Sequence, residues 1–149
     1  MSYTNLLYHI VLRTYQSENT INTEHERELY AYMLGFVKNQ NAKLIRIGGM
    51  PDHIHLFVSL PTTTTVANFV QGLKISSSKW LKANKDFPAF NGWGKEYAAF
   101  TYSNRDMDMI INYIKNQKEH HKRTTFADEY RAFLLENGLE IREEYFMRD

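Results

Sequence analysis

Two short apolar runs, residues 43–47 and 53–60, are separated only by Gly48-Gly49-Met50-Pro51-Asp52, and this pair constrains the fold more than any other feature of the chain. Strands so close in sequence are expected to pair as an antiparallel hairpin, with the Gly-Pro break between them. What flanks the hairpin then sets the architecture. Upstream, residues 3–13 are rich in Leu, Ile, Val and Tyr and predict a central strand buried on both faces. A helix should follow, opened at Asn22-Thr23 by Glu24, Glu26 and Glu28, with Leu29, Tyr32, Met33, Phe36 and Val37 at helical spacing as far as residue 38.

Downstream, Pro61 and four successive Thr residues end the second hairpin strand. Residues 66–84 then predict a helix with Phe69, Val70, Leu73, Trp80 and Leu81 as its apolar stripe. Residues 87–94 read as loop and 96–102, dense in aromatics, as a strand. A helix over 106–122 and a last short helix over 126–136, stopped by Asn137-Gly138, complete the chain. The order β-α-β-β-α-β plus two helices predicts an α+β, ferredoxin-like (split β-α-β) antiparallel sheet. Its first two helices share one face and leave the other open.

At 149 residues the chain fits one domain, 1–149, with one core expected. Without Cys it has no disulfide and no thiolate metal site, so any metal must be held by His, carboxylate or amide oxygen. The N-terminal residues show no signal peptide and no apolar run approaches the roughly 20 residues of a membrane helix, so a soluble, cytoplasmic protein is expected with no membrane partner. Net charge is only +1, but its distribution is uneven: residues 71–123 are rich in Lys and Arg, and residues 124–149 carry three basic against seven acidic groups. A basic middle suits a phosphate backbone, and equally suits a solvated helix face.

The chemistry concentrates in two segments. In His53-Ile54-His55-Leu56-Phe57-Val58 the side chains alternate, so His53 and His55 share one face, about 7 Å apart at Cα, while Ile54, Leu56 and Val58 take the other. Such a pair either hydrogen-bonds or joins a metal site, and a site needs further ligands. In Tyr113-Ile114-Lys115-Asn116-Gln117 a phenol and a carboxamide stand four residues apart on one helical face, a spacing that packing alone also produces. His9 is expected to be structural or to stand behind a ligand, and His120-His121 to be a cationic pair at a helix end.

Together these segments resemble the single-tyrosine HUH transposases of small bacterial insertion sequences and their domesticated relatives at repetitive extragenic palindromes. The resemblance runs through Tyr8-His9-Ile10-Val11, Met50 to Leu56, Lys74 with Ser76 to Ser78, Trp93 with Tyr97, and Tyr113 to Gln117, in the family's order and approximate spacing. It implies that His53, His55 and Gln117 bind a divalent metal, Mg or Mn, and that Tyr113 attacks a DNA phosphate to form a 5′-phosphotyrosine. It further implies a single-stranded DNA substrate with hairpin ends, and either a homodimer in which the tyrosine helix can act in trans or, as in the palindrome-associated relatives, a monomer.

For DNA, Tyr3, Tyr97, Phe100 and Tyr102 are candidates for stacking bases, and Arg13, Arg46, Lys74, Lys79, Lys82 and Lys85 for holding phosphates. Three alternatives stand beside the transposase. One is an HUH relaxase or replication initiator with the same chemistry, another a noncatalytic module binding single-stranded nucleic acid, and the third a zinc hydrolase indifferent to Tyr113.

Overall fold

The structure is a computed structural model that describes residues 2–147; Met1, Arg148 and Asp149 lie outside the described residues. Its elements are β1 (Leu7–Thr14), α1 (Glu26–Asn39), β2 (Lys43–Met50), β3 (His53–Ser59), α2 (Val66–Ala83), β4 (Trp93–Tyr102), α3 (Met107–Lys115), α4 (Gln117–His120) and α5 (Phe126–Glu136). The four strands form one antiparallel sheet in the order β2-β3-β1-β4, as the split β-α-β arrangement requires. β1 and β3, the most apolar strands, take the centre.

Strand register assigns each face its task. Ile10 and Leu12 of β1 with Ile54, Leu56 and Val58 of β3 are fully buried in the main core, against Leu29, Met33 and Val37 of α1 and Phe69, Leu73 and Leu81 of α2. Truncating any one of these leucines to Ala is worth about 2–5 kcal/mol. On the opposite face His9 pairs with Phe57, Val11 with His55 and Arg13 with His53, so histidines from two adjacent strands lie side by side.

The histidine face, expected to lie open, is covered as well, because the apolar residues of α3 and α5 bury themselves against it. Ile110 and Ile114 of α3 pack on Leu7 and Phe57, and Phe126 of α5 joins Val11, Ala98 and Phe100 in a separate cluster with Phe133 against it. The close approach of α3 depends on Gly48, which pairs with His55: a Cβ there would stand 2.8 Å from the Ile114 carbonyl oxygen. The sheet is therefore the middle layer of three, with α1 and α2 on one side and α3, α4 and α5 on the other.

Local chemistry moved several boundaries. Asn22 Oδ1 accepts from the His25 N–H at 2.8 Å and holds a turn, so α1 begins at Glu26. β4 starts at Trp93, inside the segment read as loop, because Trp93 pairs with Thr14 across a bulge in the β1–β4 register. The helix expected over 106–122 bends at Asn116 (φ −97, ψ 20) into α3 and α4, although the His120 N–H still reaches the Asn116 carbonyl at 2.9 Å. α5 covers the residues its sequence predicts, capped by Thr125. Among the described residues no helix is long and apolar enough to cross a membrane.

Candidate metal and tyrosine site

β3 presents His53 and His55 from the sheet centre, fully buried, and α4 brings Gln117, also buried, down onto them. His53 Nδ1 donates to Asp52 Oδ1 at 2.7 Å. That bond leaves the Nε2 of a neutral His53 as a lone pair, and it points at Gln117 Oε1, 3.0 Å away. The His53 ring is held flat against Phe126, with centroids 4.1 Å apart. Behind His55, the His9 Nε2 and His55 Nδ1 share one hydrogen bond of 2.8 Å, so His9 orients a candidate ligand, and its own Nδ1 lacks a hydrogen-bond partner.

The residue at the centre of the site is one that sequence reasoning missed. Glu129 of α5, only 3% exposed, directs Oε1 at both candidate ligands, 3.3 Å from His53 Nε2 and 3.1 Å from His55 Nε2. Its Oε2 accepts a hydrogen bond from the Tyr113 hydroxyl and another from Gln117 Nε2 at 3.1 Å. His120 and His121 approach the same oxygen through Nε2 at 3.2 and 3.1 Å, without hydrogen-bond geometry. The pair does stand at the end of α4, as expected, but its rings turn inward to a carboxylate.

Electrostatics follow from burial and this carboxylate. Burial alone would lower the His53 imidazole, but the Asp52 and Glu129 carboxylates outweigh it and carry the group up to about 9. At His55 burial wins and pulls the ring down to about 4. The Tyr113 phenol is pushed well above its usual value by burial and then by the Glu129 charge. Burial opposes ionisation of Glu129, yet the surrounding histidines hold its carboxyl far below the usual range.

The donor set fits a divalent cation. His53 Nε2, His55 Nε2, Gln117 Oε1 and Glu129 Oε1 face a common centre, and the histidine and glutamate ligand atoms all lie within 4.8 Å of one another. Half-buried Tyr113 borders a surface cleft of about 530 Å³, lined also by Asn112, Asn116, His120 and Arg123, which leads from solvent to its ring. All of these groups belong to one chain.

The expected DNA contacts distribute differently. Arg46 is exposed on edge strand β2 and lines a cleft with Lys115, Gln117 and Lys118. Arg13 is buried and donates to Ser17 Oγ at 3.2 Å, so its guanidinium serves the loop after β1. Lys74 donates to the Gly94 and Lys95 carbonyls at 2.6 and 3.0 Å, tying α2 to β4. Lys79, Lys82 and Lys85 are exposed on and just beyond α2, in the layer across the sheet from the histidines. Tyr3 is exposed ahead of β1, Tyr97 packs against the main core, and Tyr102 is half-buried. Phe100 stacks on Phe133 of α5 at 5.6 Å between centroids, which covers the ring face a base would need.

No curated protein matches the chain. Among solved structures, a candidate transposase from Deinococcus radiodurans is 24% identical, with a TM-score of 0.59, covering 78% of this chain and 93% of its own. A REP-associated tyrosine transposase bound to a REP hairpin is 14% identical, with a TM-score of 0.62, covering 81% of this chain and 72% of its own. At those identities the likeness shows the fold. The model of a sequence family described as "Transposase IS200 like" matches residues 2–117, most of the chain, ending at Gln117 and short of Glu129. The chain belongs to the IS200-like transposase family.

Proposed function

We propose that this transposase cleaves and rejoins single-stranded DNA at hairpin ends of a mobile or repetitive element, with Tyr113 as the nucleophile and His53, His55 and Gln117 as ligands of Mg or Mn. One observation carries the reading: the Tyr113 hydroxyl, Gln117 Nε2 and the Nε2 atoms of His53 and His55 all lie against the same Glu129 carboxylate, and Gln117 Oε1 stands 3.0 Å from His53 Nε2. A nucleophile and a ligand set that share one small acceptor are close enough to act on one phosphate. The hairpin substrate is supported by the similar solved protein that binds a REP hairpin.

Each side chain has a defined task. His53 is oriented by Asp52 and His55 by His9, so both offer Nε2 to the same centre. His53, His55 and Gln117 would hold a divalent ion there, which when bound would supply Lewis acidity toward a non-bridging phosphate oxygen. Tyr113 Oη forms a bond to phosphorus as the P–O3′ bond breaks, and the phenol proton ends on the departing 3′ oxygen. The 5′-phosphotyrosine keeps the bond energy, because a phenolate leaves more readily than an alkoxide, and a second 3′-OH reverses the step to join new ends.

Arg46, beside Gln117 on the strand edge, is the phosphate contact that fits this reading best. Lys79 and Lys82 meet DNA only where it runs over the α1–α2 side. The resemblance carries the expectation of a homodimer, and the contact between Tyr113 and Glu129 within one chain favours a tyrosine that serves its own subunit.

The test is to incubate the protein with Mn²⁺ and hairpin-bearing single-stranded DNA and to resolve the products on a denaturing gel. A covalent adduct is expected from the wild type and none from Tyr113→Phe, while His55→Ala should lose both adduct and metal binding. Tight DNA binding with no adduct identifies a noncatalytic module, and wild-type cleavage by Tyr113→Phe identifies a metal-hydroxide hydrolase.

A further inference from the structure

We propose that Glu129 is a fourth protein ligand of the divalent ion and, through its second oxygen, the group that positions the Tyr113 hydroxyl; this rests on the metal site proposed above. Glu129 lies beyond the family match, on a helix whose sequence reads as an ordinary acidic first turn.

The first support is an excess of acceptors. Asp52 takes the Nδ1 proton of His53, so the Nε2 of a neutral ring, Gln117 Oε1 and Glu129 Oε1 are three lone-pair atoms facing one another at 3.0 and 3.3 Å, with His55 Nε2 a further 3.1 Å from the carboxylate. Buried acceptors crowded in this way repel unless positive charge lies between them, a proton on His53 in the metal-free protein and a divalent ion once one is bound. The same imbalance recurs at His121, whose side chain is 5% exposed. Its Nδ1 donates to the Thr124 carbonyl at 2.8 Å, and its Nε2 points at Glu129 Oε2 with no hydrogen bond made.

The second support is spacing. Neighbouring ligands of an octahedral Mg²⁺ or Mn²⁺ with bonds of about 2.1 Å stand about 3.0 Å apart. The separations of 3.0, 3.1 and 3.3 Å fall at or slightly above that edge length, so one ion can replace the polar contacts that join the same atoms in its absence. Ligand chemistry agrees. Two imidazoles and one amide suit softer ions, and a carboxylate adds the charged oxygen that Mg²⁺ and Mn²⁺ favour. With Oε1 on the ion and Oε2 accepting from the Tyr113 hydroxyl, a single carboxylate fixes how far the nucleophile stands from the metal.

The experiment measures Mn²⁺ affinity by calorimetry, and Mg²⁺ affinity by competition against Mn²⁺, for wild type, Glu129→Gln, Glu129→Ala, Tyr113→Phe and His55→Ala. Folding is checked by melting in metal-free buffer. Glu129→Gln and Glu129→Ala are expected to lose about tenfold or more in Mn²⁺ affinity, and more in Mg²⁺, and Tyr113→Phe, which removes only a hydrogen bond to the second carboxylate oxygen, to lose less than either. If Glu129→Gln melts below the assay temperature, Glu129→Asp carries the same expectation, because it keeps the charge but withdraws the oxygens by one methylene. Wild-type affinity that is lost in His55→Ala but unchanged in the Glu129 variants overturns this assignment alone. Wild type that does not bind Mn²⁺ overturns the metal site and this assignment with it.

Discussion

Asp52 accepts the Nδ1 proton of His53 at 2.7 Å, and this contact between sequence neighbours decides which nitrogen of a buried ring faces the site. Its side chain is itself only 22% exposed. Removing it with Asp52→Ala frees the ring to change tautomer and to rotate, so Mn²⁺ affinity is expected to fall about 10- to 100-fold. Adduct formation should fall in parallel. Calorimetry at fixed pH reads the first effect and the denaturing gel the second; unchanged affinity would mean that the ring is held by Phe126 stacking alone.

The two strand histidines make stability depend on pH in opposite directions. His53, raised to about 9 from an ordinary 6.5, adds stability that is fully present below 6.5 and is lost as pH rises through 9. His55, lowered to about 4, adds stability that is present above 6.5 and is lost as pH falls through 4. Metal-free protein is therefore expected to melt highest near pH 6.5 and lower on both sides. Metal binding must displace the His53 proton, so Mn²⁺ affinity should climb with pH up to about 9. Melting curves with and without Mn²⁺ check both trends, and a gap between them that narrows with rising pH would contradict the second.

Because Tyr113 and the histidines meet within one chain, mixing two inactive variants should restore nothing. Tyr113→Phe and His55→Ala proteins, combined and allowed to exchange subunits, are expected to form no more adduct than either alone. A dimer that exchanges its tyrosine helices would instead recover up to about a quarter of wild-type sites by random pairing. Light scattering on the same samples gives the oligomeric state, so an absence of recovery in a confirmed dimer assigns the tyrosine to its own subunit.

The strand order and the shared face of His53 and His55 were legible because they are written in short periods: two residues for a strand, three to four for a helix. The Tyr113 and Gln117 pairing was legible for the same reason, although the bend at Asn116 was not. Glu129 was invisible to such reasoning. Its partners His53 and His55 are 76 and 74 residues away, and Asp128-Glu129 after Thr125 looks like any acidic helix start. The lysines of α2 were equally opaque, since periodicity shows that a helix has a polar side but not which layer of the molecule that side faces. Trp93 carried a signal that was read too weakly. Its Nε1–H donates to Ser77 Oγ at 3.0 Å, a bond between two segments already singled out by the family resemblance.

Gly48 gives the most direct handle on how the scaffold aims the nucleophile. It pairs with His55 on the sheet, and a Cβ added there would meet the Ile114 carbonyl oxygen at 2.8 Å and its Cγ2 at 3.0 Å, one residue from Tyr113. A backbone carbonyl cannot swing aside as a flexible side chain can, so Gly48→Ala must push α3 away from β2. The cost in stability is about 1–3 kcal/mol, as for other overpacked sites. Catalysis should suffer more than folding, because a displacement of the Tyr113 hydroxyl by a fraction of an ångström lowers the rate on the order of tenfold or more, while the histidines, carried by β3, stay in place. The expected signature is a modest loss of Mn²⁺ affinity, through Gln117 three residues beyond Ile114, with a larger loss in the rate of adduct formation. Metal binding lost to the same extent as adduct formation would instead show that the contact at Gly48 positions the ligands as much as the tyrosine.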